Sequence, residues 1–213
     1  MQIVLTGGNR GIGFEMKQQL SARGDNVTAT SRDGSTGTAL DVTNTAQIAE
    51  FASAYSEPLD LLICNAGVYL DKGQSLENGF EAELWAQTFA VNVTGVFQTI
   101  EAFLPALRRS TAPKIAIVAS QMGSSERANG SAYIYRASKA AAVNLSRNLA
   151  VDLKPQGIAV GAYHPGWVRT DMGGTDADID AATSAAGLIA QFDKLGPDHT
   201  GVFENYDGAV MPF

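Results

Sequence analysis

A chain of 213 residues is long enough to bury one sizeable core. It is 45% hydrophobic and carries a net charge of −7, which argues against nucleic acid as a main partner, because a phosphate backbone selects a basic face. The single cysteine, Cys64, excludes an internal disulfide and fits a reducing compartment; within Leu61-Leu62-Ile63-Cys64 it reads as a small buried hydrophobe.

Residues 3–6 read as a strand directly after Met1, which leaves no room for a secretory leader. No run of about 18 apolar residues offers a membrane span. A cytoplasmic chain without membrane or nucleic-acid partners is therefore expected. Thr6-Gly7-Gly8-Asn9-Arg10-Gly11-Ile12-Gly13 joins this strand to a helical pattern at 12–23. Glycines admit positive φ and let backbone approach a ligand closely. The following helix start offers unpaired N–H groups and a partial positive charge to a diphosphate. The G-x-x-x-G-x-G spacing differs from the common G-x-G-x-x-G, and no Gly-Lys-Ser/Thr follows as a P-loop would require; a glycine turn that merely packs stays open.

The second strand, 26–31, runs into Ser31-Arg32-Asp33. A carboxylate about 20 residues beyond a glycine loop holds the ribose 2′-hydroxyl of NAD, whereas an arginine accommodates the 2′-phosphate of NADP. Arg32, with Arg10 from the loop, favours NADP; Asp33 keeps NAD open. Further strands are expected at 59–65, 114–120, 158–163 and 201–204. Helices are expected at 45–55, 81–90 continuing to 92–108, 131–153 and 179–192. Apolar strands without alternation, separated by helices, predict an α/β chain: a single-domain, Rossmann-like doubly wound parallel sheet with helices on both faces, spanning residues 1–213. Residues 171–182, rich in Gly, Asp and Thr, read either as a substrate flap or as an acidic solvated loop.

Chemistry concentrates in the 131–153 helix. Tyr135 and Lys139 stand four apart, so one face carries both a phenol and an ammonium. A nearby cation favours the phenolate and lowers the pKa of the phenol, which would give a proton donor for hydride addition to a carbonyl. The same spacing also describes an ordinary exposed pair. Tyr133 is the rival phenol, but Ala137 stands four residues on and supplies no cation. Ser120 ends the 114–120 strand, and Ser124 and Ser125 are alternative hydroxyls. Val118-Ala119-Ser120-Gln121-Met122 lacks the glycines of a nucleophile elbow, which disfavours a serine hydrolase. His164 and His199 have no companions at metal spacing, so no metal is expected and both are assigned to structure.

In chain order, Thr6 to Gly13, Ser31-Arg32, Asp41-Val42, Asp60 with Asn65-Ala66-Gly67, Asn92, Ser120, Tyr135 to Lys139 and Pro165-Gly166-Trp167-Val168-Arg169-Thr170 together resemble a short-chain dehydrogenase/reductase over nearly the whole length. Asn9-Arg10 and the last two segments look closest to the carbonyl-reductase-like branch. The resemblance implies an NADP(H)-dependent oxidoreductase acting on the carbonyl or alcohol of a small, largely apolar molecule. Its catalytic set would be Asn92, Ser120, Tyr135 and Lys139. Asn92 would hold a water that relays protons to Lys139, and Lys139 would lower the Tyr135 pKa and bind a nicotinamide ribose hydroxyl.

Gly7, Asn9, Arg10, Gly11, Ile12 and Gly13 would cradle the phosphates, with Ser31 and Arg32 at the 2′-phosphate and Asp41 and Val42 at the adenine. Asn65, Ala66 and Gly67 would lie against the adenosine ribose. Pro165, Gly166, Val168 and Thr170 would hold the nicotinamide, while Gln121 and Trp167 line the substrate. A homodimer through the 92–108 and 131–153 helices is implied as well. Two other classes remain: a nucleotide-binding sensor or signalling protein without turnover, and an epimerase or dehydratase, for whose added substrate domain this chain is short.

Overall fold

The computed structural model describes residues 1–213. Seven parallel strands form one sheet: β1 (Gln2–Thr6), β2 (Asn26–Ser31), β3 (Thr38–Ala39), β4 (Leu61–Cys64), β5 (Lys114–Val118), β6 (Ala159–His164) and β7 (Val202–Asn205), ordered β3-β2-β1-β4-β5-β6-β7. The chain winds outward from β1 in one direction and, after crossing back, outward from β4 in the other. Ligands in such sheets bind beyond the carboxyl ends of the strands, where the winding reverses.

Helices cover both faces, which is why the strands are apolar on both. Val4, Leu62, Ile115 and Ile117 face a cluster completed by Ile100 and Phe103 of α4 (Gly95–Leu107) and by Ala142 and Ala150 of α5 (Tyr133–Leu153). The alternate positions Leu5, Ile63 and Ala116 meet Met16 and Leu20 of α1 (Gly11–Ala22), together with Leu188 and Phe192 of α6 (Ala181–Lys194). α2 (Thr45–Ala54) closes the first face beside α4, bringing Phe51 edge-on to Phe103. Cys64 lies in this core as expected, and burial pushes its thiol up to about 12.

α3 (Ala82–Phe89) and α4 are joined without interruption by a five-residue π segment, Ala90–Thr94. By length and composition alone Ala82–Leu107 could cross a bilayer, although it contains no unbroken apolar run of that length. In the fold its Val96, Ile100 and Phe103 are buried against the sheet. The two-residue β3, paired to β2 through Thr30↔Thr38, was likewise not foreseen, since it has no apolar run of its own.

Candidate active site

The glycine loop has a steric reason for its composition. Gly7 and Gly11 take φ values of +70 and +52, and a Cβ on Gly13 would lie 2.0 Å from the Gly7 carbonyl oxygen. The Asn65 amide, just past β4, donates to the carbonyls of Thr6 (3.0 Å) and Gly7 (2.8 Å) and so ties the loop to the sheet. Arg10 at the start of α1 provides no side-chain cap, and the first turn carries no acidic residue. Uncapped N–H groups beside a backbone kept bare of side chains suit a diphosphate. A Cβ on Gly11 would stand 3.2 Å from the Thr170 methyl, so the loop after β6 meets the glycine loop at this edge.

Beyond β2, the buried Ser31 hydroxyl contacts Ser35 and Thr36. Asp33 accepts from Ser35, which holds its carboxyl down to about 2. Arg32 is exposed and forms no ion pair; its charge helps to lower Asp41. One Asp41 oxygen accepts from the backbone and hydroxyl of Thr43, leaving the other for a ligand. Val42 is buried in a small cluster with Leu40 and Ile48, against which Ala66 packs. Arg10 pairs with Asp171 at 2.8 Å, reaching across to the 171–182 segment, and both side chains are exposed.

Ser120 follows β5 and caps a short helical turn, accepting from the Met122 N–H at 3.1 Å. Its own proton stays free to donate. Ser120 and Tyr135 line one cavity of about 740 Å³ with Gln121, Trp167, Val168 and Thr170. Ser124 is buried outside that lining and Ser125 is exposed. Tyr133 packs edge-on against Phe80 instead, with ring centroids 5.5 Å apart.

Lys139 lies beneath Tyr135, its Nζ 5.7 Å from the ring centroid and donating to the Val118 carbonyl at 2.9 Å. The expected lowering of the phenol by this lysine is not what the protein groups produce. Burial pushes Tyr135 up to about 12, opposed by the Ser120 hydroxyl, and the same burial pushes Lys139 down to about 8. Desolvation penalises either charge more than their separation rewards the pair.

Asn92 is buried in the π segment, a helical distortion frequent at functional sites. Its side chain makes three hydrogen bonds: it accepts from the Val68 N–H (2.9 Å) and donates to the Val68 carbonyl (2.9 Å) and to Ser138 (3.0 Å). It therefore braces the chain after Gly67. A Cβ on Gly67 would stand 3.4 Å from Asn92 Oδ1 and 3.5 Å from Lys139 Nζ, which places these three residues together.

In the loop after β6, Gly166 has φ +87 and a Cβ there would meet Ile179, while the Pro165 carbonyl accepts from Ser184. Trp167 is half exposed and donates to the Gly173 carbonyl at 2.9 Å. Asn9 and Ile12 lie within the glycine loop and the first turn of α1, respectively.

Three residues near the site were not singled out from sequence. Asp71 is 1% exposed and accepts from the N–H groups of Ile134 (2.9 Å) and Tyr135 (3.2 Å), capping α5 from far away in the chain. It does so because Ser131 and Ala132 enter the helix at φ +59 and +49, and Ala132 has no side-chain acceptor. Tyr69 stacks on Tyr135 at 4.4 Å. His164, assigned to structure from its spacing, is 7% exposed, lines the cavity and leaves Nδ1 without a partner. Its place at the carboxyl end of β6 was the available signal. His199 does have a structural role, 2.9 Å from Glu204.

Residues 1–179 match the family model for short chain dehydrogenase. The chain belongs to this family of oxidoreductases, in its carbonyl-reductase-like branch. It is similar to 1-hydroxy-2-glutathionyl-2-methyl-3-butene dehydrogenase of Rhodococcus sp. (strain AD45), at 34% identity over 98% of each chain. The C-signal protein of Myxococcus xanthus is 41% identical over 73% of this chain and 93% of its own length. Among solved structures, an NADPH-bound carbonyl reductase from chicken fatty liver superposes with a TM-score of 0.91 at 29% identity, covering 100% of this chain and 98% of the other.

Proposed function

We propose that the protein is an NADP(H)-dependent reductase of small carbonyl compounds, with Tyr135 as the proton donor. The observation that carries this is the meeting of Ser120 and Tyr135 in one cavity whose Thr170 edge touches the glycine loop. The glycine cradle, the uncapped α1 and the free Arg32 fit a dinucleotide bearing a 2′-phosphate, as does the chicken neighbour's NADPH. When bound, that cofactor supplies the hydride. Ser120 donates to the carbonyl oxygen as negative charge develops there. Tyr135, whose phenol stays protonated through neutral pH, delivers its proton to the same oxygen. Lys139 would hold a ribose hydroxyl of the cofactor, and Asn92 keeps the 67–68 backbone in place beside that lysine. Residues 171–182 form the substrate flap, latched to the loop by Arg10.

The test is NADPH consumption with a panel of aldehydes, ketones and quinones. Tyr135→Phe should abolish turnover and spare NADPH binding, whereas Tyr133→Phe should retain most activity; the reverse pattern overturns the assignment. The M. xanthus relative favours a second reading, a signalling protein that binds nucleotide without turnover. Tight NADPH binding with no panel member consumed would select it. A homodimer through α4 and α5 completes the proposal. Val96, Ile100 and Phe103 of α4 are buried against the sheet, which leaves Phe97, 41% exposed, as the anchor of that interface. Light scattering of Phe97→Glu should report a monomer.

A further inference from the structure

The substrate end of the cavity carries a charge that neither the proposed hydride transfer nor the cofactor uses. In a chain with net charge −7, the lining includes Lys72, Arg127 and Arg136 against one carboxylate, Asp176. None of the three cations forms an ion pair. Each is held by neutral oxygens instead: Lys72 by the Met172 carbonyl (3.2 Å), Arg127 by Gln121 (3.0 Å), and Arg136 by Asn129. Arg136 Nε is buried without any partner. His164, more than nine-tenths buried in the same lining, presents an unpartnered Nδ1, and burial, reinforced by the nearby Arg127, keeps its imidazole neutral. The residues that suit the cofactor's phosphates, from Gly7 to Gly13 and Arg32, do not line this cavity. Guanidinium groups arranged by neutral acceptors, with donors left over, match the planar oxygens of a carboxylate.

We infer that the substrate is a carbonyl compound bearing its own carboxylate, bound by Arg127 and Arg136 with Lys72 and His164 alongside. Tyr69, Met122, Trp167 and Met172 supply apolar walls for the body between the two groups. The inference rests on the hydride-transfer function proposed above, and its test separates the two.

The probes are 4-formylbenzoate and its neutral methyl ester, given to the full chain. Calorimetry with NADP⁺, which has no hydride to deliver, reads binding alone; NADPH consumption reads turnover. The carboxylate should bind more tightly, and show a higher kcat/KM, by about tenfold, the worth of one charge-assisted hydrogen bond. This preference should shrink as salt rises from 20 mM to about 500 mM, because screening acts on the charged probe only. Arg127→Gln and Arg136→Gln should each lower the ratio between the probes. Equal or better binding of the ester, or a ratio unmoved by both substitutions and by salt, overturns the inference. Preferential binding of the carboxylate, with NADPH consumed neither by this probe nor by any member of the carbonyl panel, upholds the anion site and overturns the hydride transfer proposed above instead.

Discussion

Asp71→Ala should cost far more than an ordinary loop substitution. The carboxylate is 1% exposed and its two oxygens accept the first N–H groups of α5, one of them belonging to Tyr135 itself. Removing it leaves two buried donors at the positive end of a 21-residue helix. Hydrogen bonds to a charged acceptor contribute about 1.5–3 kcal/mol each, and loss of a cap costs about 1–2. Some of this is recovered as the turn relaxes, so about 3 kcal/mol is expected for Ala, and about 1 for Asn, which keeps one acceptor. For a chain of this size, 1 kcal/mol lowers Tm by about 2–4 °C, which gives about 6–12 °C for Asp71→Ala. Thermal unfolding followed by circular dichroism measures this. Turnover should fall in parallel, because the same turn aims the phenol. A Tm within about 2 °C of the parent for Asp71→Ala would refute the capping argument, since surface changes without such a role stay that small.

Other substitutions probe the cofactor cradle and the buried lysine. Arg32→Asp should weaken NADPH binding by about tenfold or more while sparing NADH, as loss of a charged hydrogen bond requires; equal loss for both would remove Arg32 as the 2′-phosphate partner. Gly13→Ala should cost about 1–3 kcal/mol or more and weaken both cofactors, because its Cβ would sit 2.0 Å from a backbone oxygen, and a variant of parental Tm would contradict this. Lys139 is held near 8 against an ordinary 10.5, so between those values the unfolded chain keeps a proton that the folded chain has released. Its contribution to stability therefore rises with pH across that window, by up to about 3 kcal/mol. Urea unfolding should show the parent gaining on Lys139→Met from pH 8 to about 10.5, and parallel curves would exclude the shift.

What could be read from the chain alone was what repeats or what is local. Strands 3–6 and 114–118 announce themselves because helices cover both faces and the runs Ile3-Val4-Leu5 and Ile115-Ala116-Ile117-Val118 are apolar without alternation. The glycine loop and the Tyr135–Lys139 spacing are likewise contained in a few consecutive residues. The remainder depends on residues far apart in sequence. A search for the α5 cap looks at Ala132 and its neighbours, which have no acceptor, whereas the cap comes from Asp71 more than 60 positions earlier. Arg10 looked free until Asp171 was brought within 2.8 Å of it. The direction of the Tyr135 shift depends on how much water reaches the ring, and that follows from Tyr69 stacking over it from another loop. His164 had no ligand partner in sequence because its surroundings come from β5 and the turn after it.

The wide turn at Ala90–Thr94 sets the phase between two halves of one rod. With five residues per hydrogen-bonded step in place of four, the helix slips by about 100° relative to a regular one. That slip lets Asn92 point inward at Val68 while Val96, Ile100 and Phe103 still land on the sheet one turn later. Regular winding with every residue kept would carry that whole stripe about 100° away from the strands it covers, whereas deleting a single residue here would restore regular winding with the stripe in place and lose only the widened turn that aims Asn92. The extra residue thus serves the turn at Asn92, and the packing downstream is kept in spite of it.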